Sequence, residues 1–163
     1  LVHVGYCITL LSLGRYAEAE AACRRAIELN PGYEMGYWRL AMLRYLQGHP
    51  EDAPALVAPL KDESMRLTTL ALVFPALGRR DEAERTLADL EQNHGARWAF
   101  QIAEIRAQRG EIDAAFAWLD RAAREKDQGM TQLRNSPLLQ PLQTDPRWLP
   151  LLARLNFAGP PPR

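Results

Sequence analysis

Two thiols, Cys7 and Cys23, and three imidazoles, His3, His49 and His94, are the side chains here whose chemistry could go beyond packing. Cysteine and histidine at ligand spacing bind zinc, a thiol beside a histidine becomes a nucleophile, and histidine moves protons near neutral pH. The spacing sets up none of these. The histidines do not stand at ligand distance from the cysteines along the chain, and two thiols alone do not make a structural zinc site. His49 precedes Pro50 and His94 precedes Gly95, each in a turn, where a solvated imidazole is the ordinary outcome. The acid pairs Glu18/Glu20 and Asp81/Glu82 fall in the first turns of helical patterns, where a negative charge suits the helix dipole. The sequence contains no glycine-rich phosphate loop, CxxC, HExxH or GxSxG. The expectation is a chain that is not an enzyme and needs no metal and no cofactor. The cysteines read as two reduced, buried thiols acting as small hydrophobes; the alternative is a disulfide across a helix pair.

Charge narrows the partners. Twenty basic and twenty acidic residues balance to a net charge of zero, without the basic surplus of a nucleic-acid platform. The arginine pairs Arg24-Arg25 and Arg79-Arg80 read as a solvated outer face. No run of about 18 apolar residues exists to span a membrane. The opening stretch LVHVGYCITLLSLG has neither a basic leader nor a small-residue cleavage site and no initiator Met. The expectation is therefore a piece of something longer, without membrane association and cytoplasmic. Eighteen of the twenty basic residues are Arg, a compositional hint of a GC-rich bacterial source.

Side chains able to hold a partner must be positioned by repeated elements, because the chain repeats. Gly14, Gly48, Gly78 and Gly110 each end one helical pattern and precede another, at spacings of 34, 30 and 32. Five residues after each stands an alanine: Ala19, Ala53, Ala83, Ala115. Nine after come Cys23, Val57, Leu87 and Leu119; seven before come Cys7, Ala41, Ala71 and Ala103. Small side chains on either side of a turn let two antiparallel helices approach closely, and the larger ones fill the space toward the next pair. The glycine supplies the left-handed residue that commonly closes a helix. The periodicity predicts helices near 2–13, 16–29, 34–47, 51–61, 64–77, 80–92, 96–109 and 111–125.

The stretch from Leu13 to Gly32, with Gly14, Tyr16, Ala19, Ala26 and the closing Asn30-Pro31, resembles the tetratricopeptide repeat. Four such units cover roughly residues 1–125. The resemblance implies an all-α, right-handed alpha-solenoid of about four helix-turn-helix units. The second unit departs from the pattern at Pro50, with Pro54 and Pro59 following, so its second helix is expected short and kinked. The third has Arg80 at the aromatic position, and Pro75 is expected to fray the end of its first helix. Past Lys126 the composition shifts: seven of twelve prolines lie between Pro137 and Pro162. Ser136 and Asp145 read as caps before Pro137 and Pro146. Trp148, Leu151, Leu152 and Leu155 share one face of a capping helix that covers the open end of the array. Residues 126–157 are thus a loop, a short helix and a cap, and 158–163 a disordered end. Residues 118–155 also resemble the closing segment of large bacterial regulators that join such repeats to a cyclase, a winged-helix domain or a kinase.

In such stacks the first helix of each unit lines the concave side. The expected peptide-binding groove comprises Trp38, Arg39, Met42 and Tyr45, then Met65, Thr68, Thr69 and Leu72, then Arg97, Phe100, Gln101 and Glu104, with the aromatic side chains as anchors. Truncating Trp38 is expected to weaken binding by about 2 kcal/mol with little loss of fold. Side chains that would grip a terminal carboxylate are replaced by Val4, Ile8, Arg39 and Met42. The first helix is unusually apolar, so Val4, Ile8 and Leu11 are candidates for self-association into a homodimer. The functional expectation is a module that binds a protein or peptide segment. The alternatives are a small-ligand sensor with a cavity near Phe100, and an oligomerisation arm built on the first helix.

Overall fold

The computed structural model describes residues 2–157, apart from the side chains of Val2, His3 and Val4. The expected disordered end, 158–163, and the Val4 side chain lie outside the described residues. The described chain is all-helical and is built of helix-turn-helix units of the alpha-solenoid kind. It forms two compact units, Leu1–His94 and Gly95–Arg163. The fourth hairpin therefore stands with the tail, where the sequence suggested a boundary near 125.

The first unit holds α1 (Val2–Ser12) and α2 (Tyr16–Leu29), α3 (Glu34–Leu46) and α4 (Ala53–Val57), then α5 (Glu63–Val73) and α6 (Arg80–Asp89), closed by a π-type turn over Leu90–His94. Each hairpin turns on its glycine. Gly14, Gly48, Gly78 and Gly110 have φ of 70, 85, 74 and 75°, the left-handed region that a Cβ disfavours. The next N–H donates five residues back each time: Arg15 to Leu10 at 2.9 Å, His49 to Arg44 at 2.8 Å, Arg79 to Phe74 at 2.9 Å, Glu111 to Arg106 at 3.0 Å. This closing bond ties up carbonyls that a helix end leaves unpaired. The residues seven before, five after and nine after the glycines are at most 1 % exposed in all four hairpins.

Proline sets the departures. Pro50 starts a 3₁₀ turn and Pro54 stands in the first turn of the five-residue α4, which is shorter than the expected 51–61. α5 stops at Val73, two residues before Pro75. Cys7 and Cys23 form a disulfide between α1 and α2, with Cα atoms 5.5 Å apart; this corrects the reading of two reduced thiols.

The second unit pairs α7 (Ala99–Gln108) with α8 (Ile112–Glu125), followed by 3₁₀ turns at Gln128–Gln132 and Pro137–Leu142 and by α9 (Trp148–Arg154). Asp127 fixes the exit from α8: its carboxylate accepts from the N–H of Phe100 at 3.0 Å and of Gly129 at 2.7 Å. Gly129 is obligatory, since a Cβ there would lie 2.6 Å from the Phe100 ring. Ser136 caps Leu138 as expected. Asp145 caps the N–H of Arg147, and α9 begins one residue later. Trp148, Leu151 and Leu152 pack onto Phe116 and Leu119, with Leu155 at the margin, so the last helix covers the fourth hairpin.

Glu20 links three elements. Its carboxylate accepts from Gln47 at 3.0 Å and from Arg24 at 2.8 Å, while Arg44, 3.5 Å away, donates to Asp52 at 2.7 Å. The Gln47 hydrogen bond, then the Arg24 one, hold the Glu20 carboxyl below its ordinary value of 4.5. A depressed folded value means that the stabilisation is present above the unfolded value and is lost as pH falls through the folded one. In thermal melts from pH 3 to 7, the acid-side decline below about 4.5 should be shallower for Glu20→Gln than for wild type. Gly110→Ala should lower stability by about 1 kcal/mol. Gly5→Ala, in a helix interior with nothing within 4 Å of the added Cβ, should raise it by a similar amount.

Candidate functional site

The first helices of the second and third hairpins, α3 and α5, bring most of the expected groove residues together. Trp38, Arg39, Met42 and Tyr45 lie on α3, and Met65, Thr68, Thr69 and Leu72 on α5. Their roles divide by burial. Trp38 is 2 % exposed, and its indole N–H donates to the Thr68 hydroxyl at 3.2 Å. The Thr68 and Thr69 hydroxyls donate in turn to the Met65 carbonyl at 3.0 and 3.1 Å. Leu72 is buried. Trp38 is therefore a cross-helix strut rather than an accessible anchor. A buried indole needs a partner for its N–H, and Thr68 provides one. Arg39 is buried too, stacked 4.4 Å over the Trp38 ring and 3.9 Å from the Met42 sulfur.

Met42, Tyr45 and Met65 are half-buried, and burial pushes the Tyr45 hydroxyl up in pKa. Met65 also lines an open cleft of about 610 Å³ at the N-terminal ends of α3 and α5. Its walls are Met35 and Tyr37 from the first turns of α3, Pro31 and Tyr33 from the turn before it, Leu60 and Lys61 from the approach to α5, and Met65 from its first turn. Glu34 holds the rim in place. One carboxylate oxygen accepts from the Lys61 N–H at 2.5 Å and the other from the Asp62 N–H at 3.3 Å. Asp62 caps α5 by accepting from Met65 at 3.2 Å. The Lys61 side chain stands exposed beside the apolar walls.

The expected positions in the second unit do not form a groove. Phe100 is 1 % exposed against Gly129, and Gln101 is buried. Gly129 packs directly against the Phe100 ring. The buried Glu104 accepts from the Ser136 hydroxyl at 2.5 Å. Arg97 alone of this set is exposed. In α1, Leu11 is buried within the hairpin core and Ile8 half-buried. Leu11 is therefore not a free self-association contact, and the Val4 side chain lies outside the described residues.

Of the cleft residues, sequence reasoning named Met65 and missed Tyr33, Met35, Tyr37 and Lys61. Tyr33 is the N-cap residue of α3 and Tyr37 stands four residues on, directly after the Asn-Pro-Gly that closes the preceding unit; that spacing was the available signal. It also missed the 3.1 Å hydrogen bond between Ser64 and His94, which ties α5 to the turn closing the first unit. Among the described residues no group of three or more His, Cys, Asp or Glu could hold a metal ion, and no helix is long and apolar enough to cross a membrane.

Two family models, both described as tetratricopeptide repeat, match the chain, one over residues 1–33 and one over residues 68–129. The stretch between the matches contains Pro50, Pro54 and Pro59, where proline shortens the second hairpin. No curated protein and no solved structure matches the chain.

Trp38→Ala should destabilise the fold by about 3–5 kcal/mol, through an emptied core site and the loss of the buried indole hydrogen bond to Thr68. Tyr37→Ala, on the cleft wall, should stay within about 0.5 kcal/mol of wild type. Urea denaturation followed by far-ultraviolet circular dichroism measures both.

Proposed function

The chain is a tetratricopeptide repeat protein, and on that premise we propose that it binds a segment of another protein in the cleft between the N-terminal ends of α3 and α5. One observation carries the reading. Two tyrosines and two methionines, Tyr33, Tyr37, Met35 and Met65, line an open concave surface while remaining only half-buried. Large side chains at such a place give up much water-exposed area when covered. Tyrosine is enriched among residues that dominate binding, and methionine adapts to irregular partners.

The segment that fits is extended and apolar, with a carboxylate placed to meet Lys61. Met35, Arg39 and Met42 stand at i, i+4 and i+7 on α3, so the half-buried Met42 lies on the same face as the cleft wall and continues it along the helix. We extend the proposal to the role of docking part in a larger bacterial regulator. What supports that extension is the likeness of residues 118–155 to the closing segment of such proteins. Catalysis is not part of the proposal.

Ten-residue random peptides displayed on phage and selected against the chain should converge on apolar segments with an acidic residue. Tyr37→Ala should weaken the selected peptides by about 2 kcal/mol, and Lys61→Glu should select against their acid. Selected peptides that bind both variants as tightly as wild type would remove the cleft from the proposal.

A further inference from the structure

We propose that Cys7 and Cys23 form a thiol–disulfide site that locks the first hairpin: closed, it holds α1 against α2, and a dithiol reductant opens it and frees α1. The positions carry the first part of the inference. Cys7 and Cys23 occupy the sites seven before and nine after the turn glycine. The other hairpins place Ala41 with Val57, Ala71 with Leu87 and Ala103 with Leu119 there, all buried. In those hairpins a branched side chain fills the space beside the alanine. In the first, the short cysteine at the later site leaves that space to the sulfur pair, and a covalent bond stands where packing stands elsewhere.

The character of α1 carries the second part. It is a weak helix by itself. Gly5 sits in its interior with nothing within 4 Å of where a Cβ would be. Thr9 and Ser12 turn their hydroxyls back onto the carbonyls of Gly5 and Ile8, at 3.1 and 3.0 Å, a habit that competes with helical order. Tyr6 is 52 % exposed, and Leu13, just past the helix end, 62 %, so neither anchors it. Once α1 is released, Leu10, Leu11, Ala19 and Ala22 lose their cover and become an apolar surface.

The chemistry balances as ordinary exchange. A thiolate of the dithiol attacks one sulfur of the cystine and breaks the Cys7–Cys23 bond. A mixed disulfide forms and the other cysteine leaves as thiolate. The second thiolate of the reductant then displaces the first cysteine. Two electrons and two protons reach the protein, which ends with two thiols, and the reductant ends as its disulfide. Both cysteines are 0 % exposed, so attack waits for α1 to part from α2. The lock stays closed in an oxidising setting and opens only under sustained reduction.

Hydrogen exchange on the intact chain tests the proposal, with mass spectrometry and thiol alkylation as readouts, with and without dithiothreitol. Untreated protein should resist alkylation after denaturation. Treated protein should gain two hydrogens in mass and accept two alkyl groups, and its α1 amides should exchange about a hundredfold faster, as removal of a cross-link spanning 16 residues implies. Cys7→Ala/Cys23→Leu restores the pair used by the third and fourth hairpins and should keep α1 protected with or without reductant. Cys7→Ser/Cys23→Ser should behave as the reduced protein. Two alkyl groups on untreated protein, or α1 protection that reductant leaves unchanged, would overturn the lock.

Discussion

The close approach of two helices across a left-handed glycine turn is the constraint on which this structure rests. It needs a small side chain seven residues before the glycine and another five after, with the glycine in the left-handed region at the turn. A side chain larger than alanine or cysteine at either site would push the backbones apart and open voids along the whole hairpin. The second hairpin shows how little else is required. Pro50, Pro54 and Pro59 reduce its second helix to Ala53–Val57, the stretch from the small residue five after Gly48 to the larger one nine after. Both ends of that remnant are buried. Helical length was expendable; the contact pair was not.

The hairpins were legible in the sequence because every contact that defines them lies within about thirty residues and returns with the glycine. The groove was not legible for the opposite reason. Whether a residue on a first helix faces solvent depends on what the chain lays over it later. Trp38 and Tyr37 are adjacent in sequence, yet one is a strut to Thr68 on the next hairpin and the other walls an open cleft. A period of 3.6 residues separates faces but does not say which face the following helix covers. At Phe100, Gln101 and Glu104 the covering chain is 127–142, a segment of turns with no helical period to read. Only its caps gave it away: Ser136 before Pro137 was identified, while Asp127, which accepts two backbone bonds, was not. The disulfide was half legible. The two cysteine positions are the ones that the other hairpins fill with buried pairs, so adjacency followed from the repeat even though oxidation did not.

Electrostatics then sorts the surfaces by use. Arg15 with Glu18, Arg25 with Glu28 and Arg79 with Glu82 are pairs within single helices or at their first turns, set largely in solvent. Such pairs add little stability. Their effect is to keep the outer faces of the second helices wet and without net charge, which suits a chain whose total charge is zero. The same economy does not extend to the cleft. There Glu34 spends its carboxylate on the N–H groups of Lys61 and Asp62, at the positive end of α5, where the helix dipole balances it. That leaves the Lys61 ammonium as the cation at an apolar, tyrosine-walled opening. A segment burying only hydrocarbon would strip water from that ammonium without compensating it. A segment carrying a carboxylate would offset the loss and gain register from it. The pairing that holds the rim in shape is thus the same pairing that would set the charge of a segment bound as proposed.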